Sequence, residues 1–230
     1  MLGQGTLGIE LQEQAERMIA SAESSGQTQP KCSFHLKDSA GGELKGLNAI
    51  IAPCGGGGML SGVALSVEGT GIHIFGAEPS FEGADDCKRG LESGTRIESV
   101  KTLTIADGLR TPVGAYPWSV IHDRKLVRQM FSVTEDNIKD ALKLVLERMK
   151  VVVEPSACVP LAVALYNEDF RKIVEAEGGE EGWDLGIVFS GGNVSLEALG
   201  KLFAVDEKKA ERQESKVGSD DKKVAENVAG

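Results

Sequence analysis

The sequence has no long hydrophobic run, no basic start and no excess of basic residues. Its apolar stretches fall well short of the roughly 20 residues that a transmembrane helix needs, and the opening Met1–Thr6 does not resemble a signal peptide. The formal net charge is −10 over 230 residues, which disfavours binding to nucleic acid. We therefore expect a cytoplasmic protein without a nucleic-acid or membrane partner.

Cysteine and histidine are scarce and scattered. No CxxC motif is present, so the spacing favours neither a disulfide framework nor a zinc site, and it predicts reduced thiols. The three histidines form no constellation and are interpreted as structural or surface residues. These residues are Cys32, Cys54, Cys87, Cys158, His35, His73 and His122.

The most informative feature that is present is a run of four glycines, Gly55–Gly58. It follows the apolar segment 48–54 and precedes a predicted helix that continues from Met59. Glycines let the backbone turn sharply and direct several N–H groups at one anion, and the positive end of the next helix adds to the attraction. The segment predicts a phosphate-binding loop.

Several interpretations of this loop compete. An ATP or GTP P-loop needs Lys and Ser or Thr after its last glycine, but Met59 and Leu60 stand there. The dinucleotide fingerprint is a near miss, Gly56-x-Gly58-x-x-Ser61, with Glu78 in place of a ribose-binding acid. A glycine turn without a ligand is a further alternative. A continuous glycine loop is better suited to one terminal phosphate than to a pyrophosphate.

The hydrophobic pattern around the loop predicts an α/β fold. A strand over 49–53, a helix over 58–67 and a strand over 72–77 form the strand–helix–strand unit of a parallel sheet. Further predicted elements are a helix over 6–22, a polar insertion over about 21–46, loops over 79–117, helices from Thr134 and over 156–166, a strand over 185–189 and a short final helix. The charged segment 205–230 is predicted to be disordered.

Six motifs occur in an order that is typical of one enzyme family. They are Gly3-Gln-Gly-Thr6, Pro53-Cys-Gly-Gly-Gly-Gly-Met59, Thr104-Ile-Ala-Asp-Gly108, Glu147-Arg-Met-Lys150, Glu154-Pro155 and Ser190-Gly-Gly-Asn193. Together they resemble the serine racemase and serine/threonine dehydratase group of fold-type II pyridoxal phosphate enzymes, over residues 1 to about 203. The resemblance implies a tryptophan synthase β-like fold and a cofactor-binding large domain over 1–204, with a parallel sheet flanked by helices. It also implies an ammonia-lyase or racemase acting on serine or threonine.

The resemblance assigns the cofactor contacts. Gly55, Gly56, Gly57, Gly58 and the Met59 backbone match the loop that binds the cofactor phosphate. Ser190 matches the serine that faces the pyridine nitrogen, which makes the ring a milder electron sink than a carboxylate would. Its alternative role is a cap on the last helix.

The resemblance also implies a divalent cation, Mg²⁺, Mn²⁺ or Ca²⁺, held by oxygen ligands. The matching ligands are Glu78, the Ala84 carbonyl and Asp86. The segment is two residues longer than the usual spacing, so Asp85 is an alternative to Asp86. An acidic loop that is merely solvated is the other interpretation.

Three further positions and the quaternary structure follow from the resemblance alone. Lys150 and Asn193 match positions that bind a nucleotide effector, ATP, in some members of the family, and Glu154 matches a glutamate at the active-site edge. Lys150 otherwise reads as a cation at a helix C-terminus, and Glu154 as an acid at a helix N-terminus. The resemblance implies a homodimer for the full-length enzyme.

The pattern departs from the family at its central residue. The lysine that forms the Schiff base lies upstream of the Gly3–Thr6 element in the family and has no counterpart here. The segment Ser33–Lys37 looks similar, but its spacing is wrong. We therefore expect an N-terminally truncated fragment that is inactive alone. The alternative is a non-catalytic binding or regulatory paralogue, or a short isoform, that pairs with a full-length relative. A nicotinamide-dependent dehydrogenase is a more distant possibility.

Overall fold

A computed structural model describes residues 1–24, 36–37, 43–44, 46–180 and 182–204. The chain divides into two compact units, Met1–Gly192 and Asn193–Gly230. In the second unit the described part contains one helix, α8, over 196–204. The predicted disordered tail lies outside the described residues. Among the helices that are described, none is both long and apolar enough to cross a membrane.

A parallel sheet of four strands forms the centre of the first unit, in the order β5-β4-β3-β6. The strands are β3 (Ala49–Pro53), β4 (His73–Pro79), β5 (Gln129–Val133) and β6 (Leu185–Ile187). All five residues of β3 are buried, as expected for a central strand covered on both faces. The predicted bounds of β3 are confirmed, β4 and β6 differ from prediction by one or two residues at their ends, and β5 is not predicted from the sequence.

The first helix, α1 (Leu2–Ser24), begins earlier and ends later than the sequence predicts. It lies close to α2 (Gly58–Ser66), because a Cβ atom added at Gly5 would lie only 2.8 Å from the Gly62 carbonyl oxygen. Because α1 extends to Ser24, the first residues of the predicted polar insertion (about 21–46) are helical. Within the same insertion, β1 (Leu36–Lys37) pairs antiparallel with β2 (Glu43–Leu44).

Helices with clear caps surround the sheet. The helix α5 (Glu135–Leu144) has the predicted Thr134 cap, completed as a capping box by Asn137. The next helix, α6 (Pro155–Tyr166), starts with proline at its first position, where the missing N–H costs nothing. The helix α7 (Glu168–Gly178) is not predicted from the sequence. The predicted loop region after β4 contains two short helices, α3 (Asp86–Ser93) and α4 (Ala115–Trp118).

An aromatic cluster joins the sheet to α7. Phe170 meets Phe75 and Phe131 edge-on, with ring centroids 5.3 and 5.5 Å apart. The Phe75 ring also stacks on Trp183, with the ring centroids 6.2 Å apart. These contacts pack β4, β5 and α7 against one another.

Candidate functional site

The predicted phosphate loop, Glu78 and Ser190 lie at the carboxyl ends of neighbouring strands of the sheet. The glycine loop follows β3, Glu78 lies near the end of β4, and Ser190 follows β6. Because these three strands are parallel neighbours, their carboxyl ends lie side by side. We call this side of the sheet its carboxyl edge. In open α/β sheets that edge is where ligands bind.

The glycine loop is shaped by close packing. Gly57 has a left-handed backbone with φ 78°, and a Cβ atom there would lie 2.7 Å from Val113 Cγ2 and 2.8 Å from Pro117 Cβ. Gly55 approaches the next loop so closely that its Cβ would lie 3.0 Å from the Gly108 carbonyl oxygen. Only glycine fits either position without moving its neighbours.

The start of α2 presents free backbone donors. No side chain among the described residues caps the helix at Gly57, and neither the Gly58 nor the Met59 N–H donates to any residue that the structure describes. Apart from its chain neighbours and its own helix, no described residue lies within 4 Å of a Cβ atom built on Gly58. Uncapped backbone donors at a helix N-terminus fit a phosphate group.

A second loop, Thr104–Gly108, supports the glycine loop from the side. The Gly108 N–H donates to Ser156 Oγ at 3.0 Å, which ties the loop to α6. At the other end of the loop, the Glu135 carboxylate accepts from Thr104 Oγ1 at 2.6 Å and from the Ile105 N–H at 2.8 Å. The role of Glu135 is not predicted from the sequence, where it reads as a first-turn helix acid.

Ser190 and Glu154 are brought together through Gly191. The Glu154 N–H donates to the Gly191 carbonyl at 3.1 Å. A Cβ atom on Gly191 would lie 2.8 Å from Glu154 Oε1, and one on Gly108 would lie 3.4 Å from the same oxygen. The Glu154 carboxyl group therefore lies between the Thr104–Gly108 loop and the segment that carries the half-buried Ser190.

The predicted cation ligands are buried beside α3. Both Glu78 and Asp86 are almost fully buried, as is Ala84. Glu78 accepts from the Cys87 and Lys88 N–H groups at 3.0 and 2.9 Å, and Asp86 Oδ2 accepts from the Val113 N–H at 2.9 Å. Burial raises the pKa of both carboxyl groups, that of Glu78 well above its ordinary value.

The alternative ligand Asp85 has a different environment. Its carboxylate forms an ion pair with Arg89, 2.9 Å away and one helical turn further on. A carboxylate that already has a cationic partner is less available to a metal ion. Asp85 and Asp86 therefore differ in that only Asp85 has an ion pair among the described residues.

The remaining predicted positions lie elsewhere. Lys150 is exposed and adopts a left-handed backbone with φ 61° at the end of the π-helical segment Val145–Met149. Asn193 is the first residue of the second unit.

Two cysteines that the sequence leaves unassigned lie at the same edge as the site. Cys54 directly follows β3 and Cys87 belongs to α3, and both are fully buried. A hydrogen bond with the Cys87 thiol and burial together raise the pKa of Cys54 well above its ordinary value. Their wide sequence separation hides this proximity, so no spacing rule could have found it.

A comparison with known protein families identifies the family to which this chain belongs. The family model described as pyridoxal-phosphate dependent enzyme matches residues 1–191. The chain belongs to this family, and the predicted cofactor is confirmed at the level of the family. The parallel sheet flanked by helices is the fold-type II architecture that the sequence predicts.

Two curated proteins that are similar to this chain in sequence are both serine racemases. The chain is 40% identical to the serine racemase of Dictyostelium discoideum over 165 residues, which are 70% of this chain and 48% of that protein. It is 40% identical to the serine racemase of Bos taurus over 167 residues, 71% of this chain and 47% of the relative. The chain thus spans about half the length of these curated relatives.

Solved structures agree with these relatives. The crystal structure of the Dictyostelium discoideum serine racemase is similar with a TM-score of 0.61 and 36% identity, covering 84% of this chain and 50% of that one. The crystal structure of a threonine deaminase from T.th. has a TM-score of 0.57 and 31% identity, covering 84% of this chain and 58% of that one. Both likenesses extend over most of this chain.

Proposed function

We propose that this chain forms the cofactor-binding part of a pyridoxal phosphate enzyme that acts on serine or threonine, as a racemase or as an ammonia-lyase. The observation that carries the proposal is the uncapped start of α2 behind the glycine loop. The names of the relatives, serine racemase and threonine deaminase, support the substrate class.

The residues present fit the cofactor at both of its ends. The backbone donors of Gly55–Met59 would hold the phosphate, and the helix dipole of α2 favours its negative charge. When bound, pyridoxal phosphate withdraws electrons from the α-carbon of an amino acid attached to it. The Ser190 hydroxyl would form a hydrogen bond with the ring nitrogen without fixing a positive charge there. The Glu154 carboxyl group borders the same space.

We propose that a hard divalent cation is held by Glu78, the Ala84 carbonyl and Asp86. Glu78 and Asp86 are buried carboxylates, and a hard divalent cation with oxygen ligands would compensate the cost of burying their charges. The nucleotide effector at Lys150 and Asn193 and the homodimer rest on the resemblance, and both are part of the same proposal.

A charge-insertion experiment tests the phosphate site. Gly58→Asp introduces an acid where there is open space, and a first-turn acid does not destabilise a helix. The variant should therefore fold normally and bind pyridoxal phosphate at least about tenfold more weakly, because the carboxylate repels the phosphate. Cofactor absorbance and quenching of tryptophan fluorescence measure the binding.

Gly46→Asp is the matched control. Among the described residues its Cβ position also has no neighbour within 4 Å, and Gly46 precedes the opposite, amino end of β3. The control should bind the cofactor as the unaltered chain does. Equal affinities of the two variants would overturn the phosphate assignment.

We propose further that this chain alone does not turn over serine, because no residue matches the Schiff-base lysine. Pyruvate, ammonia and D-serine should all stay at background when the purified chain is incubated with L-serine and cofactor. Turnover that disappears in a Lys37→Ala variant would overturn this part and assign the lysine role to Lys37.

A further inference from the structure

Three buried side chains from three different elements converge beside the cofactor edge. They are Cys54 after β3, Glu78 on β4 and Cys87 on α3, and all three are fully buried. Their two sulfur atoms and one carboxylate oxygen all lie within 4.8 Å of one another. We call this set the Cys54–Glu78–Cys87 cluster.

The fold fixes each member of the cluster. In the register of β3 and β4, Pro53 pairs with Ala77, and the Cys54 N–H donates to the Ala77 carbonyl at 2.9 Å. Cys54 therefore lies next to Glu78, and neighbours at equivalent positions of paired strands project from the same face of the sheet. The Cys87 N–H donates to Glu78 Oε1 at 3.0 Å, which anchors the start of α3 against the strand.

We propose that this cluster binds a thiophilic divalent cation of the Zn²⁺ type. Zn²⁺ binding would displace the two thiol protons, and two thiolates with one carboxylate are a donor set that zinc accepts, with a water completing a tetrahedron. Ideal zinc–ligand bonds place neighbouring ligand atoms about 3.6–3.8 Å apart, so a shift of roughly 1 Å or less is enough to close the site. This inference goes beyond the proposed function and does not depend on cofactor binding.

The cluster differs in chemistry from the oxygen ligands proposed above, although Glu78 belongs to both sets. Sulfur ligands select Zn²⁺ and similar ions, whereas Mg²⁺ and Ca²⁺ prefer oxygen. The N–H groups of Cys87 and Lys88 that donate to Glu78 orient the carboxylate, as outer hydrogen bonds do in zinc sites. The two sites would compete for Glu78, and the cysteines decide which ion is held.

The test uses the whole chain and Zn²⁺ alone. After equilibration and gel filtration, the unaltered chain should retain one Zn²⁺ per molecule even in millimolar Mg²⁺. In competition with a chromogenic chelator, Cys54→Ala and Cys87→Ala should each bind Zn²⁺ at least about tenfold more weakly, since even outer-sphere changes cost that much. Cys158→Ala is the matched control, because Cys158 is an equally buried thiol outside the cluster, and it should bind Zn²⁺ normally.

A second measurement needs no variant and so does not depend on the variants folding. Co²⁺ bound in place of Zn²⁺ should give an intense near-ultraviolet band from thiolate-to-metal charge transfer, which oxygen ligands do not produce. A chain that retains no Zn²⁺, Co²⁺ binding without that band, or unchanged Zn²⁺ affinity in folded Cys54→Ala and Cys87→Ala variants would each overturn the proposal.

Discussion

Gly191 lies directly against the carboxyl group of Glu154. The backbone of the two residues is joined by a 3.1 Å hydrogen bond from the Glu154 N–H to the Gly191 carbonyl, and a Cβ atom on Gly191 would lie 2.8–3.0 Å from all three atoms of the carboxyl group. The position of an acid at the site edge thus depends on the absence of a side chain next to Ser190.

This contact predicts the effect of Gly191→Ala. The added methyl group must push the Glu154 carboxyl group aside, because real Cβ contacts are not shorter than about 3 Å. We expect several-fold weaker pyridoxal phosphate binding, measured by cofactor absorbance. Gly200→Ala is the control, since its Cβ has no neighbour within 4 Å in the part of the chain that the structure describes, and this change should leave binding unaltered. Gly191→Ala binding as tightly as Gly200→Ala would contradict the prediction.

A second prediction concerns the loop glycine Gly57. Gly57→Ala combines a left-handed backbone, φ 78°, with overlap against Val113 and Pro117. The conformation costs about 1–2 kcal/mol and the overlap a further 1–3 kcal/mol or so. Gly69→Ala has φ 81° but no neighbour within 4 Å among the described residues, so it should show the conformational cost alone. Urea unfolding of both variants separates the two contributions. Equal free energies of unfolding would show that the loop relaxes around the methyl group.

A third prediction concerns the anchor of the Thr104–Gly108 loop. Glu135→Gln retains the shape of the side chain but leaves only one acceptor oxygen for the two donors, Thr104 Oγ1 and the Ile105 N–H. We expect a loss of about 1–3 kcal/mol in the free energy of unfolding. Asp136→Asn removes a neighbouring first-turn charge that is exposed, and it controls for the helix dipole. A loss no larger than that of the control would show that the anchor contributes nothing.

A fourth prediction is a pH dependence that involves His73. Burial lowers the pKa of His73 below its ordinary value of 6.5, and Arg128 acts in the same direction, while Glu177 opposes it. The unfolded chain therefore takes up the proton first as pH falls, so this contribution destabilises the fold progressively below about pH 6.5.

The variant His73→Gln removes that contribution. Its free energy of unfolding should fall less between pH 7 and 5 than that of the unaltered chain, and 1 M salt should preserve most of the difference because burial is the main cause. Chemical denaturation at several pH values measures both curves. Parallel curves would refute the assignment.

The sequence predicts those parts of the fold whose local pattern matches their environment. The buried strand Ala49–Pro53 is a continuous apolar run that ends in glycine, so its bounds are predicted without error. The strand Gln129–Val133 lies at the sheet edge, where an exposed glutamine and a half-buried serine interrupt the apolar pattern. The helix α7 starts immediately after α6, and only Asn167, which caps it through the Phe170 N–H, separates the two.

The candidate site also has one part that the sequence predicts and one part that it does not. The glycine loop could be found because four adjacent glycines are a local pattern with a physical purpose. The Cys54–Glu78–Cys87 cluster could not, because its members come together only through strand register and the docking of α3. Sequence spacing identifies a metal site only when the ligands are close along the chain.

The neighbouring position of β3 and β6 has a consequence for biosynthesis. The Asp184 N–H donates to Asn48 Oδ1 at 2.7 Å, which joins positions 136 residues apart. The glycine loop therefore leaves the ribosome long before Ser190 does, and a ligand that bridges the two must wait for the closing strand. Such a ligand stabilises only the finished domain, by mass action.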